Sequence, residues 1–148
     1  MRLMAIDYGE RSVGVAISDE LQLTVRPLTT IRREKEKFAH VIRRISELVA
    51  ENGIATLVVG LPLNMDGTRG AAVERVESFI SELRRSVLIP IVTVDERLTS
   101  HEADRMLRDM GVGPRERRAR SDEYAAMIIL QDYIDGQKRL PLSETTSQ

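Results

Sequence analysis

Three separated acids carry most of the chemistry this sequence can offer. Asp7 closes the apolar run "MAI" and precedes a tight turn, "YGER", before a second apolar run, "SVGVAIS". Asp95 and Glu96 close another such run, "IPIVTVDE", and Asp122 opens the segment "SDEYAAMIILQDYID". A carboxylate at the tip of a buried strand is costly unless it is paired. Taken singly, an Asp at a strand end is a turn-former, and an Asp at a helix start complements the dipole. Gathered within a few ångströms, several carboxylates stay ionised together only with a cation between them. Oxygen-only donors of that kind suit Mg²⁺ or Mn²⁺. Two such ions about 4 Å apart activate water and stabilise the leaving oxygen in phosphodiester hydrolysis. Neighbouring strand residues point to opposite faces, so only one of Asp95 and Glu96 can join such a group, and Glu96 is the one expected.

Several arginines stand close to these acids in sequence. Arg11 and Arg97 either hold a phosphate or orient an acid through a salt bridge. The segment "NMDGTRG", 64–70, offers Gly amides, Thr68 and Arg69 at a helix start, which suits a phosphate and equally suits a plain loop and cap. "RERRAR" brings Arg115, Arg117, Arg118 and Arg120 into a stretch punctuated by Gly and Pro. It is expected to be a mobile loop that overhangs the site and grips nucleic-acid backbone, the alternative being a solvated charge run. His40 and His101 have no metal-ligand spacing and read as surface residues. Without Cys there is no disulfide framework and no thiolate metal site.

The elements that must position these side chains follow from periodicity. Apolar residues at 3–7 and 13–17 read as an antiparallel hairpin, and 24–31 reads as a third strand in which Pro27 marks an edge or a bulge. Phe38, Val41, Ile42, Ile45, Leu48 and Val49 fall at helical spacing, and the "NG" at 52–53 ends that helix. The continuous apolar runs 55–63 and 89–96 read as strands covered on both faces, with a helix carrying Val73, Val76, Ile80 and Leu83 between them. "TSHE", 99–102, fits a capping box, and Ser121 is expected to cap a last helix reaching about Ile134. The order β-β-β-α-β-α-β-α-α describes an α/β domain with right-handed crossovers, whose ligands gather beyond the carboxyl ends of the parallel strands. Asp7, Gly60 and Glu96 all stand at such ends.

Length and charge set the frame. The 148 residues fit a single domain, expected over 1–136 with a disordered tail at 137–148. Lys and Arg number 22 against 23 Asp and Glu, so net charge argues neither for nor against a nucleic-acid partner. No segment approaches a membrane span and the first apolar run is broken too early for a signal peptide, which points to the cytoplasm. Few aromatics are available for base stacking, so recognition by shape and backbone is expected.

The segments "DYGERSVGVAIS", "VVGLPLNMDGT", "VDERLTS" and "SDEYAAMIILQDYID", in this order and spacing, resemble the four signatures of the YqgF/RuvX family of Holliday junction resolvases and pre-ribosomal-RNA nucleases. The resemblance covers residues 1 to about 135. It implies an RNase H-like fold with a five-stranded mixed sheet in the order 3-2-1-4-5, and an acidic triad falling on Asp7, Glu96 and Asp122. Ser121 stands where the family often has an aliphatic residue. It further implies a Mg²⁺- or Mn²⁺-dependent endonuclease that matures the 5′ end of pre-16S ribosomal RNA, with precursor ribosomal particles as partners. The alternative substrate is branched DNA, as for a junction resolvase, and the expected state is monomer or homodimer. Two other readings compete: a phosphotransferase of the actin and sugar-kinase type, whose phosphate loop resembles "DYGERSVGVA", and a non-catalytic nucleic-acid-binding assembly factor. The first needs a second such domain, which this length does not supply.

Overall fold

The computed structural model describes residues 1–33, 37–64, 66–96 and 100–138. Its strands are β1 (Arg2–Tyr8), β2 (Ser12–Ser18), β3 (Val25–Arg32), β4 (Ile54–Leu61) and β5 (Ile91–Asp95), and its helices α1 (Ala39–Asn52), α2 (Ala71–Arg84), α3 (Ser100–Asp109), α4 (Pro114–Ala119) and α5 (Ser121–Lys138). The five strands form one sheet in the order β3-β2-β1-β4-β5. β1 pairs antiparallel with β2 and parallel with β4, and β4 pairs parallel with β5. The expected mixed sheet is therefore the observed one.

Alternation along the strands assigns each side chain to one of two cores. Met4, Ile6, Val13, Val15, Leu57 and Val59 point to the face covered by α1 and α2, where Phe79 is fully buried. Leu3, Ala5, Ala16 and Val58 point to the face covered by α5 and α3. Burying a side chain of this size contributes roughly 1.5–3 kcal/mol, so β1, β2 and β4, each covered on both faces, are the well-anchored strands. On α5 the five residues Ala126 to Leu130 are all buried, which means that helix is enclosed on more than one side.

Local signals behave as the sequence suggests. Gly53 adopts the left-handed conformation (φ 61°) and its amide closes the end of α1 on Ala50 and Val49. Pro27 lies on the edge strand β3, beside a register shift at which Leu28 has no partner in β2, so edge and bulge occur together. One expectation is overturned. The stretch "GVGPRERRAR" is not a loop throughout, because residues 114–119 form α4, a helix that the local sequence pattern did not suggest. Pro114 sits in its first turn, where the fixed φ favours a helix start and the missing amide costs nothing. Glu116 and Arg117–Arg118 lie at the ends that complement the dipole. Ser121 is accordingly the first residue of α5, directly behind α4, and α5 runs past Ile134 to Lys138. Thr99 of the capping box lies outside the described residues, as does the tail from 139 onward.

Candidate active site

The site is built on the sheet face that α5 covers. Asp7 alternates with Leu3 and Ala5, which places it on that face, and its register partner on β2 is Gly14. Gly14 matters because of what lies above it. A Cβ there would overlap the backbone carbonyl of Asp122 and stand 3.0 Å from the Glu123 nitrogen. The missing side chain thus lets the first turn of α5 rest on β2, directly over the strand pair that carries Asp7. Ser12 then donates a short hydrogen bond from its hydroxyl to Oδ2 of Asp122, which holds that carboxylate in place.

The electrostatics record this proximity. Burial, and next the negative charge of Asp122, push the Asp7 carboxyl up to about 6 from its usual 3.8. Glu96 arrives from the other side. Its amide donates to Leu61 O at 2.9 Å, which extends the β4–β5 pairing by one residue, and it continues the alternation of Val92 and Val94 toward α5. Asp95 has the opposite parity and is exposed, as strand alternation requires. Between Asp7 and Glu96 lies β4, where Gly60 again has no side chain. A Cβ there would meet Ile129 Cδ1 at 2.6 Å and the Glu96 Cβ at 3.8 Å.

Asp7 and Asp122 are therefore brought together, with Glu96 on the same face at the same edge. Among the described residues, however, no group of three or more His, Asp or Glu is arranged to hold a metal ion jointly. The all-oxygen donor set suits a hard divalent cation, and a cation would offset both influences that raise Asp7.

The arginines fall into distinct groups. Arg97 lies outside the described residues. Arg69 is ion-paired with Glu77 of α2, and its loop is closed by Asx-type bonds from Thr68 to Asp66. Arg117 pairs with Asp104, and Arg120 with Glu123 at 2.7 Å. Arg115 and Arg118 of α4 are exposed, and so is Arg11. His40 and His101 are exposed helix residues, as expected. Sequence reasoning missed Ser12, Gly14 and Arg33, and read Gly60 only as the end of a strand. Arg33 donates from Nη1 to the carbonyls of Gly9 at 2.7 Å and Glu10 at 3.0 Å, tying down the turn between β1 and β2. The readable signal was a Gly inside each of two strand patterns, which marks a close approach of backbone.

The family described as RuvX, Holliday junction resolvase, matches residues 1–136. The chain belongs to the RuvX family. A RuvX relative from Roseiflexus sp. (strain RS-1), which carries the name "Putative pre-16S rRNA nuclease", is 48% identical over 137 residues, covering 93% of this chain and 96% of its own. One of the same name from Geobacillus kaustophilus (strain HTA426) is 41% identical over 138 residues, covering 93% of this chain and 100% of its own. Among solved structures, Thermus thermophilus RuvC matches this RuvX chain with a TM-score of 0.65 at 15% identity, over 93% of this chain and 96% of that one. The fowlpox virus resolvase in complex with Holliday junction DNA matches with a TM-score of 0.54 at 10% identity, over 93% and 99%. At such identities the likeness shows the fold, which is the RNase H-like resolvase fold expected from the RuvX motifs.

Proposed function

We propose that this protein is a nuclease that hydrolyses phosphodiester bonds with a divalent cation, Mg²⁺ or Mn²⁺, and that its substrate is the 5′ region of pre-16S ribosomal RNA. The observation that carries the reading is the Asp7–Asp122 juxtaposition at the carboxyl edge of the sheet in a chain of the RuvX family. The substrate follows the name carried by the relatives at 41–48% identity. Asp7 and Asp122 would hold the ion, with Glu96 as the third donor from the same face. Bound there, a divalent cation supplies activation of water and charge stabilisation at the leaving oxygen. Ser12 fixes the rotamer of Asp122, Gly14 sets the height of α5, and exposed Arg11 would meet a phosphate beside the acids.

A junction resolvase is the second reading, favoured by the family's own description and by the shared fold. Cutting a four-way junction symmetrically requires two sites related by a two-fold axis, whereas maturing an RNA end requires one. Purified protein offered both substrates with Mg²⁺ or Mn²⁺, with its mass in solution measured in parallel, separates them. Cleavage of the precursor RNA by a monomer supports the first reading, and paired incision of the junction by a dimer supports the second. No metal-dependent cleavage of either substrate sinks the nuclease assignment and leaves an assembly factor. No helix among the described residues is long and apolar enough to cross a membrane.

The two exposed arginines of α4 yield a separate expectation. Replacing Arg115 and Arg118 by Ala weakens binding about equally across sequences. It also lowers the slope of log affinity against log salt, on single strands, by at most about 0.7 for each phosphate left without its arginine. Arg117, held by Asp104, contributes less. Unchanged affinity and slope in the double variant would make α4 a solvated charge run.

A further inference from the structure

A groove of about 1150 Å³ opens beside the site and counts Ser12 and Asp122 among its lining. Four of its lining residues are arginines: Arg11 from the β1–β2 turn, Arg32 and Arg33 from the end of β3, and Arg75 from α2. Gathering four guanidinium groups is unfavourable for folding alone, and the ion pairs formed there do little to offset it. Arg11 and Arg32 make none among the described residues. Arg75 has Glu10 at 3.9 Å, with that carboxylate side chain 84% exposed, and a pair so open to solvent contributes little. Against the four cations the groove holds two carboxylates, Glu10 and Asp122.

The aromatic floor narrows the choice of occupant. Tyr8 stacks on Phe79 with centroids 4.3 Å apart, and the Arg33 guanidinium lies 4.3 Å from the same ring centroid, so both faces of Tyr8 are taken. Phe38 meets Tyr8 and Phe79 edge-on. The groove therefore presents charge on an aromatic bed whose central ring is closed to base stacking. Its volume exceeds the usual range of small-ligand pockets, about 300–1,000 Å³, which suits an extended occupant.

We propose that this groove is the track for the sugar–phosphate backbone of the substrate strand as it runs away from the Asp7–Asp122 pair, with Arg32 and Arg75 each meeting a phosphate independently of base sequence. The proposal rests on the nuclease reading. Arg33 acts as a positioning residue: its Nη1 is spent on the Gly9 and Glu10 carbonyls, and its backbone amide donates to Arg11 O at 2.9 Å, so it holds the turn from which Arg11 reaches into the groove.

The test is the full-length double variant Arg32→Ala/Arg75→Ala, assayed for binding to a labelled single-stranded RNA and to a junction DNA over a salt series in metal-free buffer. Both residues are exposed, so folding is not at stake. With two phosphates no longer neutralised, the log–log slope on single strands falls by about 1.4 and binding weakens roughly 25-fold at about 0.1 M salt. The pair Arg32→Lys/Arg75→Lys retains most of the slope. Arg84→Ala/Arg85→Ala, an equal change of charge at the far end of α2, keeps the parent's behaviour. A groove variant that tracks this control while the parent still binds overturns the track and leaves the nuclease reading standing. A parent that binds neither nucleic acid overturns both. Saturation of the parent, and not of the groove variant, by inorganic phosphate, with polynucleotide affinity unchanged, assigns the groove to free phosphate and also overturns the proposal.

Discussion

Asp7→Asn is expected to abolish metal-dependent cleavage and, in metal-free buffer at neutral pH, to make the fold more stable. The two effects share one cause. Asp7 is half-buried beside Asp122, and its carboxyl is pushed up to about 6 from 3.8. Between those values the folded state binds more protons than the unfolded chain, so stability falls as pH rises through the interval. Above about pH 6 the buried charge imposes its full cost, at most about 3 kcal/mol for a displacement of this size. Well below pH 3.8 the carboxyl is protonated in both states and the cost vanishes. The amide of Asn carries no charge at any of these pH values. The stabilisation is therefore expected in full at neutral pH, small near pH 4 and absent well below pH 3.8, as read by chemical denaturation with a chelator present. Adding Mg²⁺ or Mn²⁺ narrows the gap from the parent's side, because the ion binds the folded carboxylates. Cleavage by the variant at the parental rate would make Asp7 a turn residue and nothing more. Equal stability of variant and parent at neutral pH would contradict the electrostatic account.

The parts of this site that were legible in the sequence are those fixed by strand periodicity. Asp7, Glu96 and the parity that separates Glu96 from Asp95 follow from apolar runs with definite ends, and a period of two leaves no freedom about which face a side chain takes. Pro27 and the Asn52–Gly53 stop were legible because each imposes a backbone constraint of its own. α4 was misread because two glycines and a proline in ten residues resemble a loop, although proline at a first turn starts a helix as readily as it ends one. The groove was hidden for another reason. Arg32 and Arg33 lie 21 and 22 positions beyond Arg11, and Arg75 is on another element altogether, so no local window unites them. Only the β2–β3 pairing and the packing of α2 bring their charges together. Asp122 was named by the resemblance of the motifs, but its distance from Asp7 depends on how closely α5 approaches the sheet.

That approach yields the second large expected effect, in Gly14→Ala. A methyl group at this position overlaps the carbonyl of Asp122 and crowds the Glu123 nitrogen. Both are backbone atoms in the first turn of a helix and cannot rotate away. Either β2 or the start of α5 must shift, at a cost of about 1–3 kcal/mol by analogy with overpacked cores. Because the methyl stands between β2, hydrogen-bonded beside Asp7, and the turn carrying Asp122, the shift separates the two carboxylates. It also loosens the Ser12 hydroxyl from Asp122. A displacement of about 1 Å at a reacting centre can cost on the order of 100-fold in rate, and a loss of at least that size is expected. Gly60→Ala provides the contrast. Its methyl meets Ile129 Cδ1, the far end of a flexible side chain, so repacking absorbs the clash and a smaller loss follows. A second readout separates geometry from simple instability. With Asp122 moved away, one of the two causes that raise Asp7 is weakened, so its titration shifts down toward the usual carboxylate range. The pH at which stability falls then moves lower in Gly14→Ala and stays near the parent's in Gly60→Ala. Parental activity together with a parental Asp7 titration in Gly14→Ala would show that the bare backbone at position 14 does not set the spacing of the acids.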